Sequence, residues 1–399
     1  MKSGVYYGAV WSLTALLTGL CVGTRSLAQT VAPTNQTSAV TPKESASLAD
    51  AVPPAQWARV EKSVDHALAW LSLQQQADGS FSSIETGQPA VTSLCVLAFL
   101  SRGHHPGSGP YGARLTRAVE FVLKSQQADG LFSYLIPEQG HVHLGASHTA
   151  TYNHAIAGLM LTEIFGSTAG EQNKRVKLAV ERGLQYTLRF QHEPRKPFAE
   201  DQGGWRYVQP YDSSFSDLSV TSWHLMFLRS ARNAEFTVPA AVVESALEYV
   251  QRCFDERTGL FYYGSTGQTR YSDRAMMGAG TLSLSLGGKH QTEMARRAGD
   301  WLLAHQFNAY GGADLSVNGR ADRFHYSAYY CSQAMAQLGG RYWQGFFPSL
   351  VRTFLENQAA DGSWMAEQGE DSMFGPTYST ALSVLTLTPP LQLLPIYQR

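Results

Sequence analysis

The sequence predicts an all-α barrel made of six helical hairpins, with an inner and an outer ring of helices. Two observations lead to this prediction. The first is a phrase that recurs along the chain: a helix tail ending in Gln, then Asp-Gly or Gly-Gly, an aromatic residue and an apolar helix. The period is about fifty residues, and a fixed period of this kind indicates one supersecondary unit repeated along the chain. The second is an alternation between amphipathic helices and helices that are apolar on all sides.

The recurring phrase differs in clarity from copy to copy. It is clearest at residues 76–81, 127–132 and 358–364, and weaker at 203–205, 259–261 and 311–312. The glycines that mark the copies are Gly79, Gly130, Gly204, Gly259, Gly312 and Gly362, with one long insertion before Gly204. An amide side chain carries donors and an acceptor, so Gln can bond with backbone groups left unpaired at helix ends. We therefore expect Gln76, Gln127 and Gln358 to be structural.

The two helices of each repeat have different patterns. First helices, such as residues 295–302, carry apolar residues at helical spacing on one face and charged residues on the other. Second helices, such as residues 91–100, are apolar nearly all round, which indicates burial on all sides. An outer ring of amphipathic helices around an inner ring of buried ones satisfies both patterns.

The N-terminus has the pattern of an export signal. A positive residue, an apolar stretch and a small-x-small site at Ala28 predict a signal peptide over residues 1–28. The alternative is that the apolar stretch anchors the chain. Residues 29–56 are rich in Ala, Thr, Ser and Pro and are expected to form a flexible linker. The folded domain is then residues 57–399, and we expect the protein to be secreted or periplasmic.

The composition excludes one class of partner. Lys and Arg number 31 against 32 Asp and Glu, with a net charge of −1 and no basic run, so the electrostatic footprint of a nucleic-acid-binding protein is missing. Cys95, Cys253 and Cys331 each lie in an apolar helical pattern without CxxC spacing. We expect three buried free thiols rather than disulfides.

The repeated Gln-x-x-Asp-Gly-Ser-aromatic phrase resembles the QW repeat of squalene–hopene cyclases. The same (α/α)6 toroid is shared by the β subunits of protein prenyltransferases, and the resemblance covers residues 57–399. The segments 203–207, 217–223 and 378–387 look closest to exported bacterial members, a subgroup without an established activity. The resemblance implies an apolar, isoprenoid-type ligand in an aromatic-lined central cavity, which is also compatible with peripheral membrane contact.

The acid motif of the cyclases is not present. Those enzymes begin the reaction with a protonated carboxylic acid in an Asp-x-Asp-Asp-Thr-Ala motif. The nearest segment here begins at Asp217 but has Ser219 and Val220 where the other two carboxylates belong. The Asp-Asp-x-x-Asp motif that would hold magnesium and pyrophosphate is missing as well. We therefore expect no proton-initiated squalene cyclisation.

The prenyltransferase zinc site is also incomplete. In the prenyltransferases that this chain resembles, the zinc ligands are an Asp, a Cys two residues later and a His in a following repeat. Asp273 matches the first ligand, but Ala275 stands at the thiolate position and His325 is out of register. The pair His141 and His143 lies in a glycine-flanked loop without a nearby carboxylate, where solvated side chains are expected. The sequence thus predicts neither a resident metal nor a cofactor, and no zinc-dependent prenylation.

Polar and aromatic residues concentrate where the inner helices begin, together with His148 and His224. The candidates for catalysis are Asp217, Asp273, His154 and His325. The candidates for ligand binding are Tyr152, Trp205, Trp223, Tyr271, Tyr326, Tyr330 and Tyr378. An aromatic pocket with a few polar groups is the usual make-up of a ligand site. The alternative is that the core is simply aromatic and that Asp217 is the N-cap of the helix that follows it.

Three functions are compatible with these residues. The first is an isoprenoid-related role, in which the protein either only binds an isoprenoid-type ligand or converts it by an altered, cyclase-like chemistry. The second is a carbohydrate-active toroid of the lyase or hydrolase kind, because aromatic rings stack on sugars as well as on alkenes. The third is a module that binds other proteins. A closed apolar cavity would favour the isoprenoid-related role. Paired acids that face one cavity would favour the carbohydrate-active toroid. A cavity mouth filled by residues 193–217 would favour the protein-binding module.

Overall fold

The computed structural model describes residues 47–168, 170–193, 195–211, 214–266, 269–311 and 322–398. The predicted signal peptide, the predicted linker up to residue 46 and the turn glycine Gly312 lie outside these residues. The helices of the described part are α1 (Pro54–Leu73), α2 (Ala90–Leu100), α3 (Gly112–Lys124), α4 (Ala146–Ile164), α5 (Gly170–Phe190), α6 (Leu218–Asn233), α7 (Ala240–Arg252), α8 (Arg274–Leu286), α9 (Glu293–Ala304), α10 (Phe324–Leu338), α11 (Gly340–Glu356) and α12 (Gly375–Leu387). Two short antiparallel strands, β1 (Phe254–Asp255) and β2 (Leu260–Phe261), follow α7.

The even-numbered helices form a closed inner ring. Each packs against the next even-numbered helix, and α12 packs against α2. Every residue of α2 is buried, as its uniformly apolar pattern predicts. The odd-numbered helices form the outer layer. In α3, Leu115, Ala118, Val119 and Val122 are buried, which is one helical face. The predicted all-α toroid of six hairpins is confirmed.

A glutamine at each clear turn joins its repeat to the next outer helix. The amide nitrogen of Gln358 donates to the carbonyl of Gly362 at 2.8 Å and to that of Ser63, in α1, at 2.9 Å. The last repeat is thereby tied to the first, which closes the outer layer. The glycine lies four positions after this glutamine, a spacing that lets the side chain fold back over the turn.

In the first two repeats the bridging glutamine is one residue earlier than predicted. Gln75 donates to Gly79 at 3.0 Å and to the Arg114 carbonyl of α3 at 2.8 Å. Gln126 likewise bonds Gly130 and the Ala179 carbonyl of α5. Gln76 and Gln127 bond within their own turns instead: Ser80 Oγ donates to Gln76 Oε1 at 3.3 Å, and Gln127 Nε2 donates to the Ser133 carbonyl at 2.6 Å. The phrase in these copies has one residue fewer between Gln and Gly, so the preceding Gln has the required spacing.

The turn glycines lie directly against the next outer helix. Gly130 has a φ of 100°, and a Cβ atom there would lie 2.5 Å from the carbonyl oxygen of Arg182. In the third repeat the corresponding residue is Gly203, with a φ of 87°, against the Ser245 carbonyl, rather than the predicted Gly204. Both the left-handed conformation and the close approach require glycine.

In four repeats the backbone amide of the aromatic residue after the turn donates a hydrogen bond to a side chain of its own inner helix. The amide of Phe81 donates to Thr92 Oγ1 at 3.0 Å, and that of Trp364 donates to Thr380 Oγ1 at the same distance. Trp205 makes the equivalent bond with Thr221. In the second repeat a histidine, His154, stands in the place of the threonine. These bonds fix where each inner helix lies relative to its turn.

Residues near both ends of the described domain bond to helices of the barrel. Helix α1 begins at Pro54, three residues before the start predicted at Trp57, and the indole of Trp343 donates to the Leu48 carbonyl at 2.7 Å. Near the C-terminus, the amide of Ile396 donates to the Glu163 carboxylate at the end of α4.

Cys95, Cys253 and Cys331 are free and buried, as predicted. Of the helices in the described ranges, none combines the length and the apolarity that crossing a bilayer requires.

Candidate functional site

A cavity of about 480 Å³ lies at the end of the barrel where the inner helices begin. Seven tyrosines line it: Tyr152, Tyr207, Tyr211, Tyr263, Tyr271, Tyr326 and Tyr378. The ionisable side chains in its wall are His143, His148, Asp273, Asp322, Arg323, Glu370 and Asp371. Its apolar lining includes Ala90, Val91, Leu94 and Ile156. The cavity is therefore both aromatic and strongly polar.

Two acids from neighbouring inner helices share one side of the cavity. Asp273 caps α8, where its Oδ1 accepts the amide hydrogen of Met276 at 2.8 Å. Asp322 bonds the Ser327 hydroxyl and lies 2.6 Å from Arg274 Nε. Burial raises the pKa of Asp322 to about 6, Arg274 opposes that rise and the charge of Asp273 adds to it. Burial also raises the pKa of Asp273. Both carboxyl groups are therefore buried, and both have a pKa above the usual value for aspartate.

A third acid is held by an arginine. Arg323, the N-cap of α10, places Nη1 3.4 Å from Asp371 Oδ2, and its guanidinium lies over the Tyr326 ring at 4.6 Å. Burial raises the pKa of Asp371, while Arg323 lowers it. Asp371 comes from the short helical turn Gly369–Phe374 before α12. Positive and negative groups thus face the same space.

Hydrogen bonds connect three of the aromatic residues that line the cavity. The hydroxyl of Tyr326 lies 2.7 Å from Ser219 Oγ, and the indole of Trp223 donates to the same Tyr326 hydroxyl at 3.0 Å. Tyr152 donates to Ser219 as well, at 3.1 Å. Ser219 is one of the positions where a cyclase would carry a carboxylate. In this chain it orients two tyrosines instead.

The insertion before α6 forms part of the cavity wall. Its Tyr207 and Tyr211 line the cavity, and Tyr207 lies 2.5 Å, hydroxyl to hydroxyl, from Tyr263. Arg206 Nη1 is 3.1 Å from Asp217 Oδ2, and both side chains are buried. Asp217 Oδ1 accepts the Val220 amide hydrogen at 2.7 Å, so Asp217 is an N-cap. This acid is paired behind the wall.

The structure separates the predicted site residues into two groups. Those that line the cavity are Tyr152, Trp223, Tyr271, Asp273, Tyr326 and Tyr378. Those that lie outside its lining are Asp217, His154, His325, Trp205 and Tyr330. The second group belongs to the buried packing between helices.

The two predicted histidines are fully engaged within that packing. His154 Nδ1 accepts the Phe132 amide hydrogen at 3.1 Å, and its Nε2 lies 2.9 Å from Thr187 Oγ1. Burial lowers the pKa of His154 to about 3. His325 Nδ1 lies 2.8 Å from Glu367 Oε2, and its Nε2 lies 2.9 Å from the Tyr310 hydroxyl. Each ring has partners at both nitrogens.

Several cavity residues were not found from the sequence. Glu370 and Asp371 lie in a turn without helical periodicity, so no pattern marked them. Asp322 and Arg323 directly precede an inner helix, and that position was the available signal. Three histidines also meet at the rim. His141, His143 and His148 place one ring nitrogen each within 4.8 Å of the others.

The chain belongs to the family of the prenyltransferase alpha-alpha toroid domain, whose model matches residues 34–198 and 209–396. Among solved structures it is similar to the type II terpene cyclase MstE from Scytonema, seen as a variant with its product merosterolic acid A. The identity is 14%, the TM-score is 0.53, and the match covers 86% of this chain and 100% of that one.

Other toroids match about equally well. A glycosidase variant in complex with glucose is 13% identical with a TM-score of 0.54, covering 86% of this chain and 100% of its own. A protein from Actinoplanes is 15% identical with a TM-score of 0.51, covering 84% of this chain and 99% of its own. No curated protein matches the chain. The fold is thus related to terpene cyclases and to glycosidases alike, and these likenesses establish the fold only.

Proposed function

We propose that this protein is a carbohydrate-active toroid that binds a glycan in the central cavity and hydrolyses a glycosidic bond there. The observation that carries this proposal is the lining: carboxylates, an arginine and seven tyrosines face one space. Sugar hydroxyl groups can satisfy such charged side chains, and tyrosine rings offer flat apolar faces for the sugar ring. A wholly apolar ligand would desolvate the same charged groups without giving them partners.

Asp273 is the proposed general acid. Its Oδ1 is used in capping α8, and burial raises the pKa of its carboxyl, which favours the protonated form that an acid catalyst needs. The proton passes from Asp273 to the glycosidic oxygen as the bond from that oxygen to the anomeric carbon breaks, so the leaving sugar departs as an alcohol. Asp371, held by Arg323, is the proposed base: it takes a proton from the water molecule whose oxygen bonds the anomeric carbon.

The test is hydrolysis of neutral oligosaccharides, using glucan, mannan, xylan and chitin fragments, with product detection by mass spectrometry. Asp273→Asn keeps the N-cap, since Asn caps as well as Asp, so the fold should be retained. Loss of the acid should lower kcat/KM by about 10²–10⁴-fold. Asp300→Asn, at an exposed position of an outer helix, is the matched control. No hydrolysis and no binding of any fragment would refute the proposal.

A second function is favoured by the apolar part of the cavity. Ala90, Val91, Leu94 and Ile156 lie along it, and they could hold the tail of an isoprenoid-type ligand. Incubation with squalene or geranylgeraniol and gas chromatography tests this. We expect binding at most, without hopene-type products, because Ser219 and Val220 replace the acids of the cyclase motif. Tight lipid binding with no glycan binding would favour this function over the first.

The proposed location agrees with a glycan substrate. Export through the predicted signal peptide would bring the protein to polymers outside the cytoplasm. N-terminal sequencing of protein recovered from the secreted or periplasmic fraction should begin near Gln29. A chain that begins at Met1 would contradict cleavage and favour the anchored alternative.

A further inference from the structure

The three histidines at the cavity rim form a cluster that the proposed hydrolysis does not use. We propose that His141, His143 and His148 bind one divalent transition-metal ion, and that this ion is Zn²⁺. Three imidazoles are a ligand set that zinc accepts with a fourth position left open. The proposal goes beyond the function above, since it concerns metal binding whatever ligand the cavity takes.

The loop before α4 is folded so that the histidines meet. The carboxylate of Glu138 accepts the amide hydrogens of Ala146 and Ser147 at the start of the helix. Ser147 Oγ in turn accepts the Val142 amide hydrogen, which fixes the stretch of chain between the first two histidines. Leu144 turns the chain with a φ of 60°. The loop is therefore held against the first turn of α4, which carries His148.

The partners of the rings match those of metal-binding histidines. His141 Nδ1 lies 2.9 Å from the Gln209 carbonyl, so this nitrogen donates, and the buried Nε2 has no hydrogen-bond partner in the described part of the chain. His143 Nε2 lies 3.0 Å from Glu370 Oε1. A carbonyl or carboxylate behind the ring is the usual outer partner of a ligating histidine, since it orients the ring and sets its tautomer.

The third ring, His148, lies beside the other two. Its ring centroid is 5.5 Å from that of His141 and 5.0 Å from that of His143. His148 Nδ1 accepts the Leu144 amide hydrogen at 3.2 Å, a long bond that coordination through this nitrogen would displace.

The geometry needs only a small contraction. The three ring nitrogens lie within 4.8 Å of one another. Zinc–nitrogen bonds of about 2.0–2.1 Å place ligands roughly 3.4 Å apart in a tetrahedron, so side-chain rotation suffices. His143 and His148 both line the cavity, so the open fourth position would face its interior.

The test is metal content and metal affinity, measured on protein purified without a histidine tag. Chelator-treated protein should take up one Zn²⁺ per chain, and Co²⁺ in its place should give the visible absorption of a tetrahedral site. His143→Ala removes a half-exposed ligand with little risk to folding and should abolish stoichiometric binding. Glu370→Gln should weaken binding by about 10–100-fold through the outer partner.

The control is His192→Ala, at an exposed position away from the cluster, which should bind as the unchanged protein does. Because metal content is measured without any glycan, this result is independent of the hydrolysis assay. Absence of stoichiometric zinc, or equal binding by His143→Ala and His192→Ala, would overturn the proposal.

Discussion

Arg274 and Asp322 form a buried ion pair between the starts of two inner helices. Nε of the arginine is 2.6 Å from Oδ2 of the aspartate, with 4% and 0% of the side chains exposed. The guanidinium also lies over the Phe307 ring at 3.8 Å. The residues next to the pair, Asp273 and Arg323, line the cavity. The ion pair therefore positions two groups of the candidate site relative to each other.

Replacing Arg274 by Met should destabilise the fold strongly at pH 7. A buried carboxylate left without its partner costs about 3–5 kcal/mol. The pKa of Asp322 is already raised to about 6 and should rise further, so the folded state holds this proton more tightly than the unfolded chain. Stability conferred by that proton is lost as pH rises, and the variant should be relatively more stable at pH 5 than at pH 8.

Urea unfolding of Arg274→Met at these two pH values measures the effect. The double variant Arg274→Met with Asp322→Leu removes the orphaned charge and should recover much of the loss. An equal loss in the single and the double variant would contradict this account of the ion pair.

The turn glycines can be tested against a glycine in open space. Gly130→Ala has to adopt a positive φ and also displace the Arg182 carbonyl, whereas Gly166, with a φ of 86°, has nothing within 4 Å of its Cβ position. Gly166→Ala should cost about 1 kcal/mol from the backbone alone. Gly130→Ala should cost roughly 2 kcal/mol more, because the close approach adds to the strain. Denaturant midpoints that agree within error would count against the proposed contact with α5.

The buried His154 should make the fold acid-sensitive. Its pKa is lowered to about 3, below the value near 6.5 of an unfolded chain, so the unfolded state binds the proton between these values. Stability is then lost as pH falls below about 6.5, by roughly 2 kcal/mol between pH 7 and pH 5. The measurement is urea unfolding of the unchanged protein and of His154→Thr at both pH values.

His154→Thr introduces the residue type that holds the equivalent turn in three other repeats, so the new hydroxyl is expected to accept the Phe132 amide hydrogen. The variant should be less stable at pH 7, because it fills less of the core, yet its loss on acidification should be smaller by the stated amount. The exposed His192→Thr serves as the control and should keep the full acid sensitivity. Equal acid sensitivity in all three proteins would show that His154 is not responsible.

Asp217 should prove structural when compared with Asp273. Asp217→Asn keeps the cap of α6 but leaves the buried Arg206 without its counter-ion, with an expected loss of about 3–5 kcal/mol in the free energy of unfolding. Hydrolysis per folded molecule should fall far less than in Asp273→Asn, since Asp217 does not line the cavity. Comparable loss of turnover in both variants would place Asp217 in the reaction after all.

The parts of the fold that follow a period could be predicted from the sequence. The repeated turn and the contrast between apolar α2 and amphipathic α3 are local patterns, and local patterns predict hairpins and their buried faces. The sequence did not show which glutamine bridges to the next helix, because one residue of spacing decides whether Gln75 or Gln76 reaches it.

The cavity was predicted less completely, for a physical reason. Tyr152, Tyr326 and Tyr378 lie near the starts of predicted inner helices, so the repeat itself brings them together. Asp371 and His141 lie in loops, and their partners come from distant segments through packing that no period encodes. His154 has the residue type of a catalytic group but the position of a structural threonine.

The C-terminal segment bears on how a ligand can enter and leave the barrel. It lies across the ends of the inner helices far from the cavity: Asn233 of α6 donates to the Pro395 carbonyl at 3.0 Å, and Gln337 of α10 to that of Tyr397 at 2.8 Å. Among the described residues, Tyr397 also meets Tyr329, hydroxyl to hydroxyl, at 2.7 Å. In the part of the chain that the structure describes, this segment therefore covers the ends of α6 and α10 opposite the cavity. We expect a ligand to enter and leave by the end of the barrel that carries the cavity, so that a polymer would present a chain terminus to the site rather than thread through the barrel.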